Sequence, residues 1–133
     1  MQETLSRIGD SKTCALAIII RDAKILLGHR HYKRISVWIS PGGRCDEGET
    51  LEETLHREIE EEIGVTNLTI NDYLGELEGA NAGDNVFVFL CEIHQEEKLI
   101  EPDKFSEWRW FNKEEVQNLP MSENTRELIN SLL

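Results

Sequence analysis

Apolar and polar positions along the chain follow two rhythms, one of period two and one of period near four. Thr13–Ile20 is an apolar, β-branched run, which predicts a buried strand. Arg21-Asp22-Ala23 interrupts it as a turn, and Lys24–Arg30 follows as a second strand and hairpin partner. Val37–Ser40 reads as a short strand running into Pro41-Gly42-Gly43, which breaks regular structure. The rhythm then changes: Leu51, Leu55, Ile59 and Ile63 recur every fourth position and draw one apolar stripe. Thr50 with Glu53 fits a capping box and Gly64 a left-handed cap, so a helix is predicted over 51–63.

Beyond the helix the pattern returns to strands. Leu68–Leu77 is strand-like but irregular around Asp72, and Asn81–Asp84 is a turn. Val86, Val88 and Leu90 alternate with Phe87, Phe89 and Ile93, which predicts a strand with two apolar faces. Glu107–Phe111 is a last strand, Asn112–Glu115 caps a short helix, and Ser122 caps a helix ending at Leu132. No repeat or linker divides the chain, so residues 1–133 are expected to form a single domain of the α+β class, an α/β sandwich with a mixed sheet flanked by helices.

Composition narrows the chemistry. At 39% hydrophobic and 30% charged the chain is expected to be globular. It has no membrane-length apolar run and a polar N-terminus, so a cytoplasmic location and no membrane partner are expected. A net charge of -12 argues against a nucleic-acid polymer as main partner, since phosphate backbones call for basic patches. A small phosphorylated ligand remains compatible if a cation bridges the two negative parties. The one basic cluster is His29–Arg34. Cys14, Cys45 and Cys91 show neither zinc nor redox spacing; Cys14 and Cys91 read as buried thiols in strands, and Cys45 as a residue of a polar loop.

The segment Arg57–Gly64 packs four glutamates into eight positions. On a helical wheel Glu53 and Glu60 fall opposite the apolar stripe, whereas Glu58, Glu61 and Glu62 share the flank nearest the core. Glu52 falls within the stripe, in the first turn. Carboxylates ~5 Å apart at an effective dielectric of ~20 repel by ~3 kcal/mol per pair, which raises their pKa values or demands cations. Oxygen-only ligands suit a hard divalent ion. The wheel alone leaves two readings open, a metal site and a partly solvated acidic face.

The residues around the glutamates form a longer pattern: Gly43, five residues, Glu49, seven residues, Arg57-Glu58-Ile59, one residue, Glu61-Glu62, one residue, Gly64-Val65. All nine specified positions over these 23 residues match the signature of the Nudix hydrolases, and Pro41-Gly42 before it fits as well. The chain resembles a compact MutT-like member of that family. The resemblance implies the Nudix fold and hydrolysis of a pyrophosphate bond in a nucleoside diphosphate linked to another group, with Mg²⁺, or Mn²⁺, as cofactor.

By the same resemblance, Glu61 and Glu62 are metal ligands together with the Gly42 carbonyl, and Glu58 is a ligand or the general base. Members of the family differ on the base, so Glu58 and Glu61 both stand as catalytic candidates. Arg57 is placed in the catalytic motif as a partner of Glu49 that orients the helix, and Gly43 and Gly64 are structural. Of the acidic residues before the last strand, Glu101 is favoured as a further ligand over Asp103 and Glu107, against a solvated loop. Arg30 is the candidate substrate contact; Trp38, Phe87 and Trp108 are open to stacking on a base or to filling the core.

A nucleoside triphosphate is the favoured substrate. ADP-ribose, nucleotide sugars, dinucleoside polyphosphates and capped RNA ends stay open. A non-catalytic nucleotide sensor of the same fold is the rival, opposed by the full set of signature glutamates; a Ca²⁺-binding protein is more distant, since no EF-hand spacing occurs. Many members of the family are dimers, and a homodimer stays open here.

Overall fold

A computed structural model describes residues 1–79 and 81–133. In chain order the elements are α1 (Gln2–Leu5), β1 (Thr13–Arg21), β2 (Lys24–His31), β3 (Ser36–Ile39), β4 (Gly42–Arg44), α2 (Leu51–Ile63), β5 (Leu68–Glu78), β6 (Asn85–Ile93), β7 (Phe105–Phe111), α3 (Lys113–Val116) and α4 (Glu123–Leu132). β1 and β6 run parallel, and the other pairings are antiparallel, so the sheet is mixed.

The strands form two lobes, β3-β2-β7 and β4-β1-β6-β5, that share only a narrow seam. β1 pairs with β2 at Ile20↔Ile25 and Arg21↔Lys24 alone. The turn between them places Asp22 and Ala23 at φ 52° and 60°, the left-handed pair that closes a tight hairpin. Towards its other end β1 abandons β2 and pairs with β4 through Cys14↔Arg44, Ala15↔Gly43 and Leu16↔Gly42. The chain therefore crosses from one lobe to the other at Ser40-Pro41, between β3 and β4.

Strand alternation sends the two faces into two cores. Ala15, Ala17, Ile19, Phe87, Phe89 and Cys91 face α2, whose Leu51, Leu55, Ile59 and Ile63 are fully buried against them. Ile18, Val88, Ile25, Leu27 and Trp38 face α3 and α4 through Val116 and Ile129. The helix α2 has the predicted limits: Thr50 and Glu53 form a reciprocal capping box, and Gly64 ends it at φ 69°.

The structure departs from the sequence pattern at several points. Gly42–Arg44 is a strand rather than a break, because pairing with β1 fixes a segment that has no side-chain pattern of its own. Gln2–Leu5 is a short helix, anchored by Leu5, which is 2% exposed. The last strand begins at Phe105. Cys45 lies in the loop between β4 and α2, as expected, but is buried there beside Gly9 and Thr54, while Cys14, expected to be buried, is only half-buried. The irregularity at Asp72 is present as a register shift between Ile70 and Asp72. Among the described residues no helix is long and apolar enough to cross a membrane.

Candidate active site

The site grows from the junction of β4 and α2. Gly42 sits at φ 150°, and a Cβ there would run into the Ala15 carbonyl oxygen, so only glycine fits. Its amide donates to Glu62 Oε1 at 2.7 Å. A Cβ on Gly43 would lie 2.5 Å from the Glu58 carboxyl carbon, so this glycine leaves the space that the Glu58 head fills. β4 thus lies flat against the acidic flank of α2.

Arg57 organises that flank. Its Nε donates to Glu49 Oε2 at 2.7 Å and its Nη2 to Glu49 Oε1 at 2.9 Å, a two-pronged pair. Nη2 also reaches the Arg44 carbonyl at 3.0 Å, and Nη1 donates to Glu58 Oε1 at 2.8 Å and to Glu61 Oε2 at 3.2 Å. The pairing of Arg57 with Glu49 is therefore present, and the same guanidinium bridges Glu58 and Glu61. Its hydrogen bonds hold the Glu49 carboxyl down at about 2, and Glu49 in turn raises the Arg57 pKa.

The glutamates differ in setting. Glu53 and Glu60 are exposed, as the wheel expects. The Glu61 side chain is 52% exposed, Glu58 only 16%. Glu62 is buried, and burial pushes its carboxyl up to about 8 despite the Gly42 amide. Burial also raises Glu58, partly offset by Arg57. The charge of Glu101 contributes to raising both Glu58 and Glu62, and Glu101 itself pairs with Lys104 at 3.3 Å. Asp103 is exposed and Glu107 pairs with Arg109.

All donors here are oxygens, which fits a hard divalent cation. A buried carboxylate without a matching countercharge, as Glu62 would be when ionised, fits one too. Among the described residues no three acidic, histidine or cysteine side chains form a ready-made cage, since the Arg57 guanidinium occupies the space between Glu58 and Glu61.

A cleft of about 250 Å³ opens where the two lobes part, bordered by Cys14 and Leu16 of β1, Trp38 and Ser40, Val86 of β6, and Thr125 of α4. Gly42 and Gly43 close one end, so cleft and glutamates meet across β4. Trp38 is both wall and core: it is 8% exposed, with His29 stacked on it at 4.4 Å and Phe111 edge-on at 4.8 Å. Phe87 is 3% exposed in the core under α2 and is removed from the stacking candidates. Trp108 packs on Phe105, on the α2 side of the sheet. Arg30 lies 4.4 Å over Tyr32 and 5.7 Å from Phe105 and donates to the His31 carbonyl; it does not border the cleft.

One functional support had no signal in the sequence. Arg44 makes a two-pronged pair with Asp84 at 3.0 and 2.9 Å, tying β4 to the turn before β6. Forty positions separate the partners, and an Asp in a turn is too common to single out.

A mixed, two-lobed sheet whose acidic helix is joined to a glycine strand is the arrangement to be compared with known proteins. The NUDIX domain model matches residues 11–132, and the chain belongs to the Nudix hydrolase family. It is 29% identical to an RNA pyrophosphohydrolase of Gluconobacter oxydans, over 77% of this chain and 72% of that protein. It is 27% identical to the NAD-capped RNA hydrolase NudC of Vibrio vulnificus, over 80% of this chain. The chain spans well under half the length of some curated relatives, 40% in the case of NudC. The crystal structure of a MutT NUDIX hydrolase from Burkholderia pseudomallei superposes with a TM-score of 0.71 at 27% identity, over 94% of this chain and all of that one.

Proposed function

We propose that this chain is a divalent-cation-dependent pyrophosphohydrolase of nucleoside triphosphates or other nucleoside-diphosphate-linked compounds. The carrying observation is the Gly42–Glu62 contact, which sets a nucleoside-sized cleft against the acidic flank of α2. Glu58, Glu61 and Glu62, the Gly42 carbonyl and Glu101 are the groups that would hold Mg²⁺ or Mn²⁺. When bound, such a cation neutralises phosphate oxygens and lowers the pKa of a coordinated water.

The chain's own residues supply position and proton handling. Glu49 fixes Arg57, and Arg57 fixes the Glu58 head, so the general base is held in one orientation. Burial keeps the Glu58 pKa above that of a free carboxylate, which favours taking a proton near neutrality. Gly43 leaves room for that head. Phosphoryl transfer asks little beyond such positioning and charge stabilisation.

A hydrolysis screen with Mg²⁺ and with EDTA tests the reading. Nucleoside triphosphates, ADP-ribose, nucleotide sugars and dinucleoside polyphosphates are the substrates, and cation-dependent release of a nucleotide, abolished in Glu61→Gln, is expected. Tight binding with no turnover of any substrate would favour the sensor reading.

One observation favours a second substrate. The turn between β2 and β3 carries Lys33 and Arg34 beside Tyr32, which is 51% exposed and borders the cleft. A basic, aromatic rim suits a chain of phosphates leaving the cleft, and two relatives are named as an RNA pyrophosphohydrolase and an NAD-capped RNA hydrolase. A 5′-triphosphorylated RNA oligomer in the same screen separates the two: preference for it over ATP that fades with salt would make RNA ends the substrate.

A further inference from the structure

Thr54 sits near the start of α2 and is fully buried. Threonine is a poorer helix former than alanine, and a buried hydroxyl is costly without a partner. The Thr54 hydroxyl has Glu49 Oε1 at 2.7 Å, the Thr50 carbonyl at 3.0 Å and Cys45 Sγ at 3.1 Å. It has one proton to give. The Thr50 carbonyl already accepts the Thr54 amide at 2.9 Å, and a thiol sulfur is a weak acceptor. The carboxylate is both nearest and charged, so the hydroxyl donates to Glu49.

The effect of that bond follows from how Glu49 is held. Its main chain is pinned by the segment before β1: the Gly9 amide donates to the Glu49 carbonyl at 3.1 Å, and the Leu51 amide to the Arg7 carbonyl at 3.0 Å. Its side chain must also turn both oxygens towards the Arg57 guanidinium. Oε2 accepts Arg57 Nε at 2.7 Å, and Oε1 accepts Arg57 Nη2 at 2.9 Å and the Asp46 amide at 3.0 Å. Thr54 reaches the same Oε1 from the buried side of the helix. Arg57 has an alternative close by, because Asp46 Oδ2 lies 3.3 Å from its Nε on a side chain that is 71% exposed. Two carboxylates thus compete for one nitrogen, and the hydroxyl braces one of them.

We propose that Thr54 is a positioning residue of the hydrolytic site. Its hydroxyl locks the Glu49 carboxylate in the orientation that holds Arg57 and, through Arg57, the Glu58 head. This rests on the proposed function and adds to it a residue set back from the acidic flank. Without the hydroxyl, Glu49 turns about its broad terminal torsion. Arg57 then shifts towards Asp46, and its Nη1 loses the 2.8 Å grip on Glu58.

Four variants of the full chain test this. Thr54→Val keeps the size and branching without the hydroxyl, and Thr54→Ala leaves open space. Thr54→Ser keeps the hydroxyl, and Cys45→Ala removes the neighbouring thiol. Kinetics are measured with Mg²⁺ on the best substrate of the hydrolysis screen. Exchange of the Arg57 Nε proton is followed by NMR in EDTA, where no turnover is needed. Thr54→Val and Thr54→Ala are expected to lower kcat about tenfold with KM within about twofold, and to speed Nε exchange about tenfold. Thr54→Ser is expected to return all three to within about threefold of wild type, and Cys45→Ala to leave them unchanged.

Wild-type kcat in a folded Thr54→Val or Thr54→Ala would overturn the proposal. So would a Thr54→Ser as slow as Thr54→Val, or a Cys45→Ala as slow, since volume rather than the hydroxyl would then matter. Loss of the cooperative thermal transition in both Thr54→Val and Thr54→Ala would assign the hydroxyl to the fold and overturn it as well. Failure of the hydrolytic reading leaves a different trace: the wild-type chain turns over no substrate, while Nε exchange still reports whether Thr54 holds the Glu49–Arg57 pair, and unchanged exchange would overturn that.

Discussion

Glu62 accepts the Gly42 amide at 2.7 Å, and that bond joins the helix that carries the acids to the strand that closes the cleft. The acceptor is a buried carboxyl raised to about 8. Its ionisation is therefore linked to stability. A folded-state pKa above the unfolded value makes a contribution that is complete below about 4.5 and lost as pH rises through about 8. In EDTA stability should fall across that window by at most roughly 5 kcal/mol, and the thermal midpoint should fall with it. Glu62→Gln should flatten the slope, and saturating Mg²⁺ should reduce it by favouring the ionised form. Calorimetry at several pH values with and without EDTA measures this; an identical slope in Glu62→Gln would refute the assignment.

Glu49 behaves in the opposite sense. Its pKa is lowered to about 2, so its contribution is present above about 4.5 and lost as pH falls through about 2. That contribution is on the order of 3 kcal/mol, with Arg57 as the main partner. Glu49→Gln should lose most of this acid-side dependence. Because Arg57 would no longer be fixed, kcat should drop about a hundredfold with KM little changed. Parallel acid-melting curves and steady-state kinetics check both halves.

Gly43→Ala isolates the space reserved for Glu58. The added Cβ meets the end of a flexible side chain rather than backbone, so the fold should survive with a thermal midpoint near wild type. Glu58 must swing aside, and kcat is expected to fall about a hundredfold or more. Retained activity would show that the Glu58 position is not needed.

Asp84→Asn tests a support remote from the chemistry. It weakens the two-pronged grip on Arg44 that holds β4 against the sheet. Activity should fall further than in Lys12→Ala, whose contact with Asp84 is long at 3.9 Å. Hydrogen exchange of the Gly42 and Gly43 amides should rise in Asp84→Asn and stay unchanged in Lys12→Ala.

The sequence made α2 readable to the residue because three local signals agree there: a reciprocal cap, a four-residue apolar stripe and a terminal glycine. The alternation of Val86–Ile93 likewise separates the two cores. The wheel placed Glu62 towards the core and Glu60 away from it, as found. What escaped depends on partners distant in sequence. β4 exists through its register with β1, Cys45 is covered by Gly9, and Asp84 meets Arg44 only after β6 docks. Nor could the wheel show that Arg57 would sit between Glu58 and Glu61, because the side-chain path depends on Glu49 in the preceding loop.

The passage of the chain between lobes at Ser40-Pro41 has a consequence for descent. The residues that line the cleft lie on β1, β3, β4, β5, β6 and α4 and the turns beside them, while the signature acids lie on α2. Mutations can reshape the cleft without entering that helix. A gene with this layout can be copied and its cleft altered one wall at a time, each intermediate keeping the acidic helix and its Gly42 contact intact.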